Sequence, residues 1–168
     1  MADPLLAPDT STFDSHLARD WAVQVKDDGG DWVFVNALSQ FAPTSDKTLQ
    51  DDGDIGMKGG KSSLATAIGF NIELTGLRKG TYANTDYEPD EGQEILREKG
   101  DEIGIAAIAD IRYWRTDGLK DAFQGRYTVD WKDGTEDKEG LLSFTCTLTG
   151  RGRRQKIAKP TATNPGNG

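Results

Sequence analysis

Apolar and polar residues alternate along most of the middle of the chain. Trp21, Val23 and Val25 alternate with Ala22, Gln24 and Lys26, the period-two pattern of a strand with one buried face. Asp27-Asp28-Gly29-Gly30 supplies a turn, and the β-branched and aromatic run Trp32 to Phe41 predicts a strand returning antiparallel to the first. From Leu64 to Thr75, Ile68, Phe70, Ile72 and Leu74 fall on one face and Asn71, Glu73 and Thr75 on the other. Three further strands are predicted over Ile103 to Arg115, Ala122 to Lys132 and Leu141 to Arg151. In the second of these, Phe123, Gly125, Tyr127, Val129 and Trp131 oppose Gln124, Arg126, Thr128, Asp130 and Lys132. In the last, Leu142, Phe144, Cys146 and Leu148 face inward, and the outward Ser143, Thr145, Thr147 and Thr149 need water or another strand.

One helix breaks this rhythm. Asp90 with Gln93 forms an N-terminal capping pair, Ile95, Leu96 and Lys99 share a side, and Gly100 stands where helix C-termini favour glycine. Residues 43–62 contain Gly53, Gly56, Gly59 and Gly60 and no hydrophobic period. They predict a long, mobile loop, well beyond the usual connection of about 4 to 6 residues. Residues 1–18 read as an arm outside the core, whose Leu5, Leu6 and Phe13 call for a docking place. Residues 152–168 end in KPTATNPGNG, too polar to order themselves. The expected fold is mainly β: one antiparallel sandwich or barrel of six or more strands with one short α-helix, spanning 19–151 between the two arms.

Composition narrows the chemistry. The 168 residues suit a single domain. The 28 acidic and 20 basic residues give a net charge of −8, which argues against general nucleic-acid affinity. Five of those 20 bases, Arg151, Arg153, Arg154, Lys156 and Lys159, lie in 151–168 with no acid, so the tail carries +5 and the remainder −13. Cys146 is the one cysteine and His16 the one histidine, which excludes a disulfide scaffold and a His-rich metal site. Neither an export signal nor a membrane span is expected, since MADPLLAPDT has no basic stretch leading into an apolar one and no run approaches about 18 consecutive apolar residues.

Few residues suggest a reaction. Gly59-Gly60-Lys61-Ser62-Ser63 is similar to the end of a phosphate-binding loop, but the motif's first glycine falls on Ile55 and no buried strand precedes it. Asp51, Asp52 and Asp54, and the set Asp133, Glu136, Asp137 and Glu139, offer carboxylates without the spacing of a calcium loop, and read as solvated charge. Cys146, between Phe144 and Leu148, reads as core, and His16 lies in the arm where nothing orients it as a base. No pair among the acidic residues is singled out for glycoside hydrolysis. Trp21, Trp32 and Trp131 alternate as core residues do, whereas Trp114 shares a face with Asp110 and Arg112 and suits either a sugar or a subunit interface. No enzymatic activity, cofactor or metal is expected. A secreted carbohydrate-binding module is the main rival class, and it is disfavoured by the missing export signal.

Taken in order, WAVQVKDDGGDWVFVNALSQFAP, the acidic glycine-rich segment, EILREKG, IADIRYWRTDG, DAFQGRYTVDWKDG and LLSFTCTLTGRGRR resemble the major tail protein, or tail tube protein, of long-tailed bacteriophages. The resemblance covers about residues 20 to 158, and FQGRYTVDW and TLTGRG carry it best. It implies a virion structural protein, made in the host cytoplasm, whose six-subunit rings stack into a tube for the genome. A tail terminator or a contractile-tail tube protein would look alike. The resemblance further implies that strands near 33–41 and 64–75 line the lumen, with Glu73 facing it, and that segment 43–62 stacks rings through Asp46, Asp51, Asp52, Asp54, Ile55, Met57, Lys58 and Lys61. Both arms would join subunits, with Arg151, Arg153, Arg154 and Lys156 as contacts of the C-terminal one. The implied partners are copies of the chain, tape measure and terminator proteins, and DNA in transit without specific binding. No membrane is implied.

Overall fold

The computed structural model describes residues 3–134 and 137–162. In chain order the elements are β1 (Trp21–Lys26), β2 (Trp32–Phe34), β3 (Leu38–Asp51), β4 (Ser63–Leu77), β5 (Gly80–Ala83), β6 (Asp86–Pro89), α1 (Glu91–Gly100), β7 (Ile108–Arg115), β8 (Ala122–Asp133), β9 (Ser143–Gly150) and β10 (Gln155–Lys156). Seven strands form one antiparallel path, β2-β1-β7-β8-β9-β4-β3, while β10 adds to β8 and β5–β6 form a separate hairpin. This is the mainly β architecture with one helix that the alternation predicts.

The sheet curls around its core. Val23 and Val25 of β1, Ile111 and Tyr113 of β7, Tyr127 and Val129 of β8, Phe144, Cys146 and Leu148 of β9, Ile72 and Leu74 of β4, and Leu96 of α1 belong to one buried cluster. A flat sheet would hold β1 and β4 apart on the same side, whereas strand twist brings them together. Phe41 of β3 completes the closure, its ring centre 5.1 Å from Trp21 and 5.2 Å from Tyr113. Trp131 stacks on Phe144 at 4.3 Å and seals the other end.

The structure corrects several element boundaries. The run 32–41 is not one strand: it breaks at Ala37, whose φ of 59° turns the chain from one edge of the curled sheet to the other. The segment 43–62 is not a loop throughout, because residues 43–51 belong to β3 and pair with β4 from Ile72 to Ser63. Its missing period has a physical cause: past Thr44 the strand is exposed on both faces, so no apolar stripe is required. Pro43 is tolerated because β3 is an edge strand. Residues 104–107 form a 3-10 turn ahead of β7, and the β5–β6 hairpin carries no alternation that would predict it.

Helix α1 is held by its ends. The Asp90 carboxylate accepts from the Gln93 amide at 3.1 Å and from Asn36 Nδ2 at 2.7 Å, as a helix cap should. The Gln93 side chain, 1% exposed, does not return to the cap but donates Nε2–H bonds to the carbonyls of Asn36 (2.8 Å) and Leu77 (3.0 Å). Gly100 ends the helix without a left-handed turn, and the next residue, Asp101, is right-handed. A Cβ at Gly100 would stand 2.5 Å from Trp131 Cβ, so glycine serves the close approach of helix to sheet. Among the described residues no helix is long and apolar enough to cross a membrane.

Candidate assembly surfaces

The outer face of the sheet has two halves of different chemistry. On β3, β4, β9 and the end of β8, cross-strand rows carry Thr44, Asn71, Thr149 and Thr128, then Ala42, Glu73, Thr147 and Asp130, then Gln40, Thr75, Thr145 and Lys132. Strand alternation fixes these positions, since their neighbours Ile72, Leu74, Cys146, Leu148 and Val129 are buried. The result is a hydroxyl-rich surface on which Glu73 and Asp130 outnumber Lys132.

The other half, on β2, β1 and β7, is closed and aromatic. The Arg112 guanidinium lies 4.4 Å from the Trp32 ring centre and 5.9 Å from Trp114, and its Nε donates to Gln24 Oε1 at 2.7 Å. Burial pulls the Arg112 guanidinium below its ordinary pKa, while the cation–π contacts compensate for lost water. Trp114 is 8% exposed and packs against Phe34, which leaves it no open platform for a sugar.

Beyond this face the β3–β4 pair continues with no third strand paired to it among the described residues, and Arg153 lines a groove near its base with Lys47 and Ala65–Ile68. The last β4–β9 partners are Asn71 and Thr149, yet β3 and β4 continue together as far as Asp51 and Ser63. At the far end residues 52–62 form the turn, with a 3-10 turn at Ile55–Met57 and Lys58 in the left-handed region (φ 49°). The turn exposes apolar side chains among its charges, with Ile55 fully exposed, Met57 42%, and Leu49 and Leu64 beside it at 59% and 60%. A lone two-stranded projection is marginal in water and gains stability when something covers it.

Residues preceding β1 and following β10 meet at one turn between β7 and β8. Asp117 accepts from the Arg115 guanidinium and lies 2.9 Å from His16 Nδ1, Arg115 donates to the Leu17 carbonyl at 2.8 Å, and Lys159 Nζ donates to the Asp117 carbonyl at 2.8 Å. The Arg115 hydrogen bond holds the Asp117 carboxyl well below its ordinary value of 3.8. A carboxylate with a depressed native pKa stabilises the fold above its ordinary value, and that contribution is lost as pH falls below it. Chemical denaturation of the unaltered protein should therefore show stability falling between about pH 4 and pH 2, with a shallower fall in Asp117→Asn. Equal slopes would mean that the turn does not tie the ends.

Comparison with family models gave no match, and no curated protein matches the chain. Solved structures do match. A chain from the tail of an empty gene transfer agent particle with C6 symmetry superposes with a TM-score of 0.65 at 11% identity, covering 86% of this chain and 100% of that one. A chain from the virion of a native gene transfer agent particle gives 0.63 at 14%, with the same coverage. The SPP1 tail tube gives 0.62 at 15%, covering 85% of this chain and 79% of that one. This chain has the phage tail-tube fold.

Within the tail-tube fold the predicted residues separate into three groups. Asp46, Asp51, Asp52, Asp54, Ile55, Met57, Lys58 and Lys61 all lie on the projecting hairpin and are exposed. Glu73 is exposed on the hydroxyl-rich face, between Ala42 and Thr147. The C-terminal basic residues do not behave as one arm. Arg154 packs inside the subunit, its guanidinium 3.8 Å from the Phe123 ring centre and Nη1 donating to the Tyr113 hydroxyl at 2.8 Å. Lys156 lies in β10, and the Ile157 amide donates to the Ala122 carbonyl at 3.0 Å, so residues 154–159 are fastened rather than loose. Arg151 and Arg153 remain exposed. Of the candidate cation ligands, Glu136 lies outside the described residues, and among the described residues no group of three or more His, Cys, Asp or Glu could hold a metal ion. Sequence reading missed the clasp at Asp117, because His16 and Lys159 lie 101 and 42 residues from it along the chain.

Proposed function

We propose that this chain is a tail-tube subunit of a phage-like particle, a structural virion component without enzymatic activity. Copies close into six-membered rings, and rings stack into a tube that carries the genome towards the host. The observation that supports this reading is a hairpin exposed on both faces, projecting from a body with the tail-tube fold. A contact between unlike surfaces repeats to give rings where the rotation closes and filaments where it continues along an axis.

In this reading the hydroxyl-rich face with Glu73 and Asp130 lines the lumen, and its excess of carboxylates keeps the DNA backbone from adhering. Segment 43–62 stacks rings, and the ends 1–18 and 152–168, with Arg151 and Arg153, contact neighbouring copies. Tape measure and terminator proteins are the further partners of such a tube. Negative-stain microscopy of the concentrated full chain should show rings or tubes of six-fold symmetry. A protein that stays monomeric under all assembly conditions tested would overturn the reading.

A further inference from the structure

The β3 strand has complementary features at its two ends. At its start, a groove of about 350 Å³ opens between Trp21, Leu38 and Phe41, with Arg19, Ser39 and Gln40 at the rim. Its three apolar walls are only partly buried and continue the core cluster outward. Arg19 is exposed and makes no ion pair with a described residue. At the other end of β3 stands the hairpin turn, with the exposed Ile55 and Met57 and the exposed carboxylates of Asp52 and Asp54.

We propose that the hairpin turn of one copy seats in the groove at the root of β3 in a second copy, placing Ile55 and Met57 against Trp21, Leu38 and Phe41 and a turn aspartate beside Arg19. This rests on the tail-tube reading and gives the stacking hairpin its receptor. The turn cannot reach its own groove, because a strand from Gln40 to Asp51 spans about 35 Å. Knob and groove therefore sit at opposite ends of one strand and are satisfied only by another copy displaced along it. Each copy then offers one free knob and one free groove, the condition for an open-ended stack. Charge supports the same pairing, since Arg19 meets Asp52 or Asp54 where a second base would be repelled.

The native thiol gives little background for a cysteine test. Cys146 is fully buried, and burial pushes its pKa up to about 12, which makes it a poor partner for disulfide exchange. Assembled Gln40→Cys/Ile55→Cys protein, mildly oxidised, should give a ladder of disulfide-linked multimers on a non-reducing gel, and either single variant should give none. Arg19→Cys/Met57→Cys, both at the surface, repeats the test should the first pair perturb folding. Ile55→Asp in an otherwise unaltered chain should raise the concentration needed for assembly about tenfold, from the lost apolar contact.

Tubes without a ladder from either pair would overturn the groove assignment and leave the tail-tube reading standing. A ladder from Leu5→Cys/Gln40→Cys, with none from the hairpin pairs, would place the N-terminal arm in the groove instead and equally overturn it. Failure of the unaltered chain to form rings or tubes would overturn both.

Discussion

Replacing Asp46–Gly69 with Asn-Gly should abolish tube formation while the barrel still folds. Ser45 and Phe70 are cross-strand partners, so a two-residue turn can join them in the existing register. The deleted residues supply no member of the buried core cluster. Their β3 portion is exposed throughout, and their β4 portion lies beyond the last pairing with β9. Loss of the segment should leave the far-ultraviolet circular dichroism β-rich, with unfolding stability changed by about 1 kcal/mol or less. Assembly should fail altogether, because the deletion removes Ile55, Met57 and every charge assigned to ring stacking. Contacts repeated around a ring multiply through avidity, so removing one from each subunit removes all of them together. Tubes of normal length from the shortened protein would transfer stacking to the chain ends.

The largest effect on stability is expected from Gln93→Leu. The native amide is fully enclosed and bonds two carbonyls from separate parts of the barrel, Asn36 in the β2–β3 link and Leu77 at the end of β4. Leucine has similar bulk but no donor, so each carbonyl would lose one hydrogen bond and face an apolar side chain instead. At about 0.5 to 1.5 kcal/mol for each hydrogen bond lost, the two together should cost about 1 to 3 kcal/mol in denaturant unfolding. The cost would extend beyond the helix, since Asn36 also contacts Asp90, the helix cap. Gln93→Glu is a useful contrast: a carboxylate against two carbonyl oxygens should destabilise at least as much at neutral pH and recover as it protonates. A loss below about 0.5 kcal/mol in Gln93→Leu would show that water replaces the amide.

Local periodicity in the chain is enough to define several elements. Alternation placed β1, β4, β8 and β9 and assigned their faces, because a period-two pattern with one buried face admits one register. The helix was equally legible, as Asp90 does cap it and Leu96 is buried. The tail-tube likeness was legible in the order of these segments. Features that depend on distant partners arise only in the folded chain. Residues 43–51 become strand only because β4 lies alongside to supply the ladder, and no apolar stripe records a hairpin with solvent on both sides. Gln93 reads locally as a capping residue, but the fold places two carbonyls from elsewhere within its reach. Arg154 reads as one charge in a basic tail, yet Phe123, Phe70 and Tyr113 meet at the barrel end to receive it. Glu73 could be assigned to the polar face from alternation, while its neighbours Ala42 and Thr147 were fixed by strand order. Hydrogen bonds and cation–π contacts between remote residues leave no period in a chain, and so they emerge only when the sheet has curled.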